Sequence, residues 1–71
     1  MNKQRLEKLM KRYGENGKVL AQHIGISRQR FSSKLNEKKG AEFTQIEIRK
    51  ICKHYGLGAE DVNQIFFNVS E

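Results

Sequence analysis

Residues 18–36, KVLAQHIGISRQRFSSKLN, decide how this chain folds. Within the stretch, Ala21 lies four residues before Gly25, and the apolar Ile26 follows directly. A small residue at this spacing leaves room beneath a sharp turn, where glycine can adopt a positive φ and end a helix. The stretch therefore predicts two short helices joined by a tight turn.

The second of these helices is predicted to have one apolar and one polar face. Ser27 is a suitable N-cap, and Phe31 and Leu35 lie four residues apart on the same side of the helix. At about 100° per residue from Phe31, Gln29 falls near 160° and Ser33 near 200°. The face opposite the core is therefore expected to be polar and to project Gln29 and Ser33 outward.

Apolar residues at helical spacing predict three further helices. They are Leu6, Leu9, Met10 and Tyr13 in the first helix, Ile48, Ile51, Cys52 and Tyr55 in the fourth, and Val62, Ile65 and Phe66 in the fifth. Asn2 and Asn16 are expected to cap the first and second helices, while Thr44 and Glu47 match a capping box before the fourth. Ile46 is expected to pack beside the fourth stripe. Residues 1–71 are thus predicted to form one compact all-α domain of five helices.

Positive charge is concentrated in the first half of the chain. The sequence has 14 Lys and Arg against 8 Asp and Glu, for a net charge of +6. Residues 1–40 have a net charge of +8, whereas residues 41–71 have −2. A basic surface confined to one region suits a polyanion such as nucleic acid. Because the chain has neither a signal-peptide pattern nor a membrane-length apolar run, we expect a cytoplasmic protein that does not bind membranes.

Little in the sequence indicates catalysis or cofactor binding. Cys52 is the single cysteine, which excludes an intramolecular disulfide and a multi-cysteine zinc site. His23 and His54 have no cysteine, carboxylate or second histidine at ligand spacing, so both are expected to be surface or helix-end residues. There are no paired carboxylates or activated nucleophile. The sequence predicts a protein that is not an enzyme and has no metal, cofactor or small-molecule ligand.

The chain resembles the helix-turn-helix domains of the phage Cro and repressor family. The resemblance rests on the spacing of Ala21, Gly25 and Ile26 and on the positions of the predicted first, fourth and fifth helices around them. The resemblance covers nearly the whole chain, and the quoted stretch forms its helix-turn-helix. Two positions depart from the family pattern. Gly17 stands where many members have a glutamine that binds phosphate, and Lys34 stands where an aliphatic residue is usual.

The resemblance implies a sequence-specific regulator of transcription that binds double-stranded DNA, of bacterial, phage or mobile-element origin. Its recognition helix would enter the major groove with the N-terminus first. The residues expected to contact bases are Arg28, Gln29, Ser32 and Ser33, with a phosphate contact as the equal alternative for Arg28. Those expected to contact phosphates are Lys18, Ser27, Arg30, Lys34, Lys38 and Lys39.

The end of the chain is more apolar than a free tail requires. Phe66, Phe67 and Val69 lie in a possible dimerisation segment, about residues 62–70, in which Phe67 or Val69 is favoured as a homodimer contact and a core plug is the alternative. A two-fold dimer would place two recognition helices ~34 Å apart and require a palindromic operator. The alternative function is that of a protein-interaction module, of antitoxin or antirepressor type, with the same fold.

Overall fold

Five α-helices make up most of the structure. The computed structural model describes residues 1–67. The helices are α1 (Lys3–Arg12), α2 (Gly17–Ile24), α3 (Arg28–Leu35), α4 (Gln45–Tyr55) and α5 (Ala59–Phe66), with a short 3-10 helix at Lys38–Gly40. The all-α, five-helix prediction is confirmed. Within the described residues, no helix has the length and hydrophobicity that crossing a membrane requires.

Side-chain caps determine where four of the helices begin. Asn2, Asn16 and Ser27 each accept a hydrogen bond from the backbone N–H three residues further on, at 3.2, 3.0 and 3.1 Å. At the start of α4, Thr44 and Glu47 form the predicted capping box, in which each side chain accepts from the other residue's backbone N–H. Each such cap contributes about 1 kcal/mol. The predicted helix starts therefore follow from local chemistry.

The turn between α2 and α3 has the geometry that its sequence predicts. Gly25 has φ 79° and ψ 29°, in the left-handed region. The backbone N–H of Ile26 donates to the carbonyl of Ala21 at 3.0 Å, closing the end of α2. Ala21 is 1% exposed, so a larger side chain there has no space. These contacts fix how α3 leaves α2.

The core lies where α2 packs against both α3 and α4, with α1 against α5. Its aromatic side chains form a chain of contacts: the Phe31 and Phe43 ring centroids are 5.5 Å apart, and those of Phe43 and Phe66 are 5.9 Å apart, with an edge-on geometry. The prediction that Phe66 contributes to a dimer contact is wrong, because this packing buries it to 8% exposure. Phe67 is 56% exposed. Val69 lies outside the described residues.

Two apolar residues are more exposed than their helical spacing predicts. Ile46 is 65% exposed and does not pack beside the α4 stripe, because it lies in the first turn of α4 on a side that no other helix covers. Tyr13 is 51% exposed, although its ring centroid lies 4.8 Å from that of Tyr55. Helical spacing therefore identifies which face of a helix is apolar. It does not show how much of that face a neighbouring helix covers.

Candidate nucleic-acid interface

The first turns of α3 present polar side chains to solvent. Arg28, Gln29 and Ser32 are exposed, and Ser33 is half-buried. Phe31, which lies opposite Gln29 and Ser33 on the helix, is 2% exposed. The sequence therefore identified which face of α3 is available to a partner, although Ser33 is more buried than its helical angle predicts.

Exposed cations lie in α3 and in the elements that precede and follow it along the chain. Lys18 is in the first turn of α2, Arg30 is in α3, and Lys38 and Lys39 are in the 3-10 helix that follows α3. Ser27 is also exposed, but its hydroxyl oxygen already accepts from the N–H of Arg30. Its O–H can still donate to a phosphate oxygen. The side chains expected to contact phosphates are thus accessible, with one exception.

Lys34 is the exception, and its predicted phosphate contact is wrong. The residue is 8% exposed, and its Nζ lies 2.6 and 2.7 Å from the two carboxylate oxygens of Glu47. Its aliphatic stem occupies the inward position where related domains usually have an aliphatic residue, and Glu47 neutralises the ammonium group. Together with Phe31 and Leu35, Lys34 forms the buried face of α3.

Glu47 has two structural roles. Its Oε1 accepts from the Thr44 N–H at 2.9 Å in the capping box, and the same carboxylate holds Lys34. Burial raises the pKa of Glu47, but the hydrogen bonds from Lys34 and Thr44 and the lysine charge outweigh it, so the pKa is lowered from its ordinary value. One carboxylate thus starts α4 and links it to α3.

These helices, their turn and the exposed α3 face agree with a comparison against known families. A family model described as the Cro/C1-type HTH DNA-binding domain matches residues 5–67. The chain belongs to this family. The Cro/C1-type domain is a DNA-binding regulator, and the resemblance stated from the sequence is confirmed. No curated protein and no solved structure matches the chain.

Gly17, at the start of α2 of this Cro/C1-type domain, lies against the buried ring of Phe31. A Cβ atom on Gly17 would lie 3.3 Å from Cδ2 and 3.4 Å from Cε2 of Phe31, so the buried ring would have to shift by a few tenths of an ångström. The glycine accommodates the Phe31 ring. Lys18, the next residue, is the exposed side chain at this end of α2.

The Cro/C1-type fold also brings together three residues that the sequence does not relate. His54 Nε2 lies 2.8 Å from a carboxylate oxygen of Glu15, and the imidazole centroids of His23 and His54 are 4.0 Å apart. Both histidines lie in the last turn of a helix, as expected, but the sequence does not predict their contacts with Glu15 and with each other. Glu15 and His54 are 39 residues apart, and no local spacing could have indicated the contact.

Acid is expected to destabilise the Cro/C1-type domain through Glu47. Its folded pKa lies below the ordinary value of 4.5. Its contribution to the free energy of unfolding is therefore present above about pH 4.5 and is lost as the pH falls through the folded pKa. Urea unfolding at a series of pH values between 7 and 2.5 measures this loss. The variant Glu47→Gln should show a weaker pH dependence, whereas Glu42→Gln, at an exposed position, should keep the full dependence.

Proposed function

We propose that this domain binds a palindromic DNA operator as a homodimer and represses transcription by occupying it, in the cytoplasm of a prokaryotic host. The observation that carries the proposal is the two-sided character of α3. Phe31, Lys34 and Leu35 anchor one side in the core, while Gln29 projects from the opposite side and Arg28 is exposed in the first turn, next to the Ser27 cap. A helix held this way can enter the major groove without exposing apolar surface.

The residue types at the start of α3 suit recognition of base edges. An arginine can donate two hydrogen bonds to O6 and N7 of guanine, and a glutamine can pair with N6 and N7 of adenine. We assign these roles to Arg28 and Gln29, with Ser32 and Ser33 one turn further along the helix. Each bidentate pair gives ~1–3 kcal/mol of discrimination against a wrong base.

The surrounding cations suit the DNA backbone. Lys18, Arg30, Lys38 and Lys39 are exposed on the elements that flank the recognition face, and Ser27 keeps a hydroxyl donor. Phosphate contacts orient a protein on DNA without specifying sequence, and they make affinity fall as salt rises. We therefore expect strongly salt-dependent binding with these residues as the contacts.

Phe67 supports the homodimer part of the proposal. It is 56% exposed and lies at a surface depression. The depression is lined by the apolar Met1, Phe43, Ile48 and Phe66 and by the charged Lys34, Glu37 and Glu42. A large exposed aromatic side chain at the edge of such a depression is suited to contact with a second copy related by two-fold symmetry, since both copies then supply the same surface. Val69 remains a proposed contact from the sequence alone.

Selection of bound DNA from a random pool tests the operator. Enrichment of a palindrome with half-sites about one helical turn apart, ~10 base pairs, would support both sequence recognition and dimerisation. If no sequence is enriched over competitor DNA, the operator proposal is overturned and the protein-interaction module becomes the better interpretation. Light scattering of the Phe67→Ser variant, with the exposed Ile46→Ser as its matched control, tests the dimer contact separately.

A further inference from the structure

Three potential metal ligands meet where the α1–α2 connection approaches the last turns of α2 and α4. Glu15 lies in the connection, His23 near the end of α2 and His54 near the end of α4. One ligand atom from each residue can be chosen so that all three atoms lie within 4.8 Å of one another. None of these residues belongs to the proposed DNA-contacting set, so their proximity requires its own explanation.

The cluster is ordered by direct contacts. Nε2 of His54 lies 2.8 Å from Oε2 and 3.1 Å from Oε1 of Glu15. The hydroxyl of Tyr55 donates to Oε1 of the same carboxylate at 2.6 Å. The His23 ring stacks on the His54 ring, with 31° between their planes. Two imidazoles and an oriented carboxylate therefore lie within a few ångströms of one another.

We propose that Glu15, His23 and His54 bind a divalent first-row transition metal ion, for which Zn²⁺ is the probe. Imidazole nitrogen and carboxylate oxygen are ligands that such ions prefer, at about 2.0–2.2 Å from the metal. A tetrahedral ion holds its ligand atoms ~3.3 Å apart. Separations of up to 4.8 Å thus need to close by as much as ~1.5 Å, which a side-chain rotation of the exposed His23 can supply. The 2.8 Å contact between His54 and Glu15 has to open by ~0.5 Å to admit the ion.

The surroundings favour the carboxylate as a ligand but limit affinity. Ligating carboxylates are commonly fixed by a hydrogen bond from a neighbouring group, and Tyr55 supplies one to Oε1. The ion would replace the present contact between Oε2 and Nε2 of His54. Lys50 and Lys53 line the same surface depression as the histidines, and their charges oppose a bound cation. With three protein ligands and two nearby lysines, binding is expected to be weaker than at a closed four-ligand zinc site.

A bound ion would connect parts of the fold that are distant in sequence. It would link the end of α2, which precedes the recognition helix, to the end of α4 and to the α1–α2 connection. Because the unfolded chain does not hold these three ligands together, the ion binds the folded state preferentially and stabilises it by mass action. The midpoint of thermal unfolding should therefore rise with Zn²⁺ concentration.

Zinc titration of the full chain without an affinity tag tests the proposal. We expect calorimetry to show one Zn²⁺ per chain, and Co²⁺ to give the visible absorption of a low-symmetry nitrogen and oxygen site. The variant His23→Gln should lower Zn²⁺ affinity at least ~tenfold, so the same rise in unfolding temperature should require at least ~tenfold more Zn²⁺. Because His23 is exposed and lies at a helix surface, the circular dichroism of this variant should match that of the parent.

Matched variants distinguish this site from other metal-binding groups. Glu7→Gln removes an exposed carboxylate of α1, and Cys52→Ser removes the thiol; both should bind Zn²⁺ as the parent does. His54→Gln should weaken binding as His23→Gln does. The proposal is overturned if the parent does not bind Zn²⁺ at one ion per chain, or if both histidine variants bind it unchanged.

Discussion

Replacing Lys34 by alanine is expected to lower the free energy of unfolding by about 3–5 kcal/mol, because it leaves the Glu47 carboxylate buried without its counter-charge. The two side chains are 10% and 11% exposed, and Nζ contacts both carboxylate oxygens. Domains of this length have roughly 4–10 kcal/mol of stability in total. A large fraction of Lys34→Ala should therefore be unfolded at moderate temperature, which urea titration followed by circular dichroism measures.

Two comparisons separate the buried pair from a surface lysine. Lys38→Ala, at an exposed position, should change stability by no more than ~0.5 kcal/mol. The double variant Lys34→Met with Glu47→Gln should recover most of the loss, since methionine keeps the apolar stem and glutamine can still accept from Thr44. If Lys34→Ala instead costs less than ~1 kcal/mol, the lysine is a solvated side chain and its assignment to the core is wrong.

Replacing Arg28 or Gln29 by alanine is expected to relax base preference at one operator position each. The loss of a bidentate contact should reduce discrimination there by roughly 5- to 150-fold, the equivalent of ~1–3 kcal/mol. Both side chains are exposed on α3, so the variants should retain the stability of the parent. Competition binding with operators altered one base pair at a time measures the effect, using the sequence that selection from a random pool provides.

Lys38→Ala is the control for this experiment, because its proposed contact is with phosphate. It should weaken binding to all sequences about equally and reduce the dependence of log K on log salt by ~1. The double variant Lys34→Met with Glu47→Gln should keep the salt dependence of the parent protein, since Glu47 already neutralises Lys34 within the fold. Equal losses on every sequence for Arg28→Ala, Gln29→Ala and Lys38→Ala would contradict the assignment of base contacts.

Most of the helix positions could be predicted from the sequence. The capping residues Asn2, Asn16, Ser27 and Thr44 act within three residues along the chain, as the structure confirms. The same holds for the turn at Gly25, which depends on a hydrogen bond to Ala21. Such interactions form between near neighbours, so the identity of a few adjacent residues determines them.

The candidate interface was predicted less completely. Helical periodicity identified Phe31 and Leu35 as buried and Gln29 as exposed, as observed. It did not reveal that Lys34 is buried, because the counter-charge that permits this is on another helix. Periodicity also could not decide which of two adjacent phenylalanines enters the core. Phe66 does so because Phe43, on a different segment, presents its ring there, and Phe67 is left exposed.

The amino-acid sequence by itself determined the helices, the turn between α2 and α3, the basic first half and the family. These properties depend on spacing and capping within about one helical turn. Only the tertiary structure decided that Lys34 pairs with Glu47, that Gly17 accommodates the Phe31 ring, and that Glu15 and His23 meet His54. Those contacts depend on which helices pack together and at what relative rotation, and that choice depends on the packing of the whole core rather than on any local pattern.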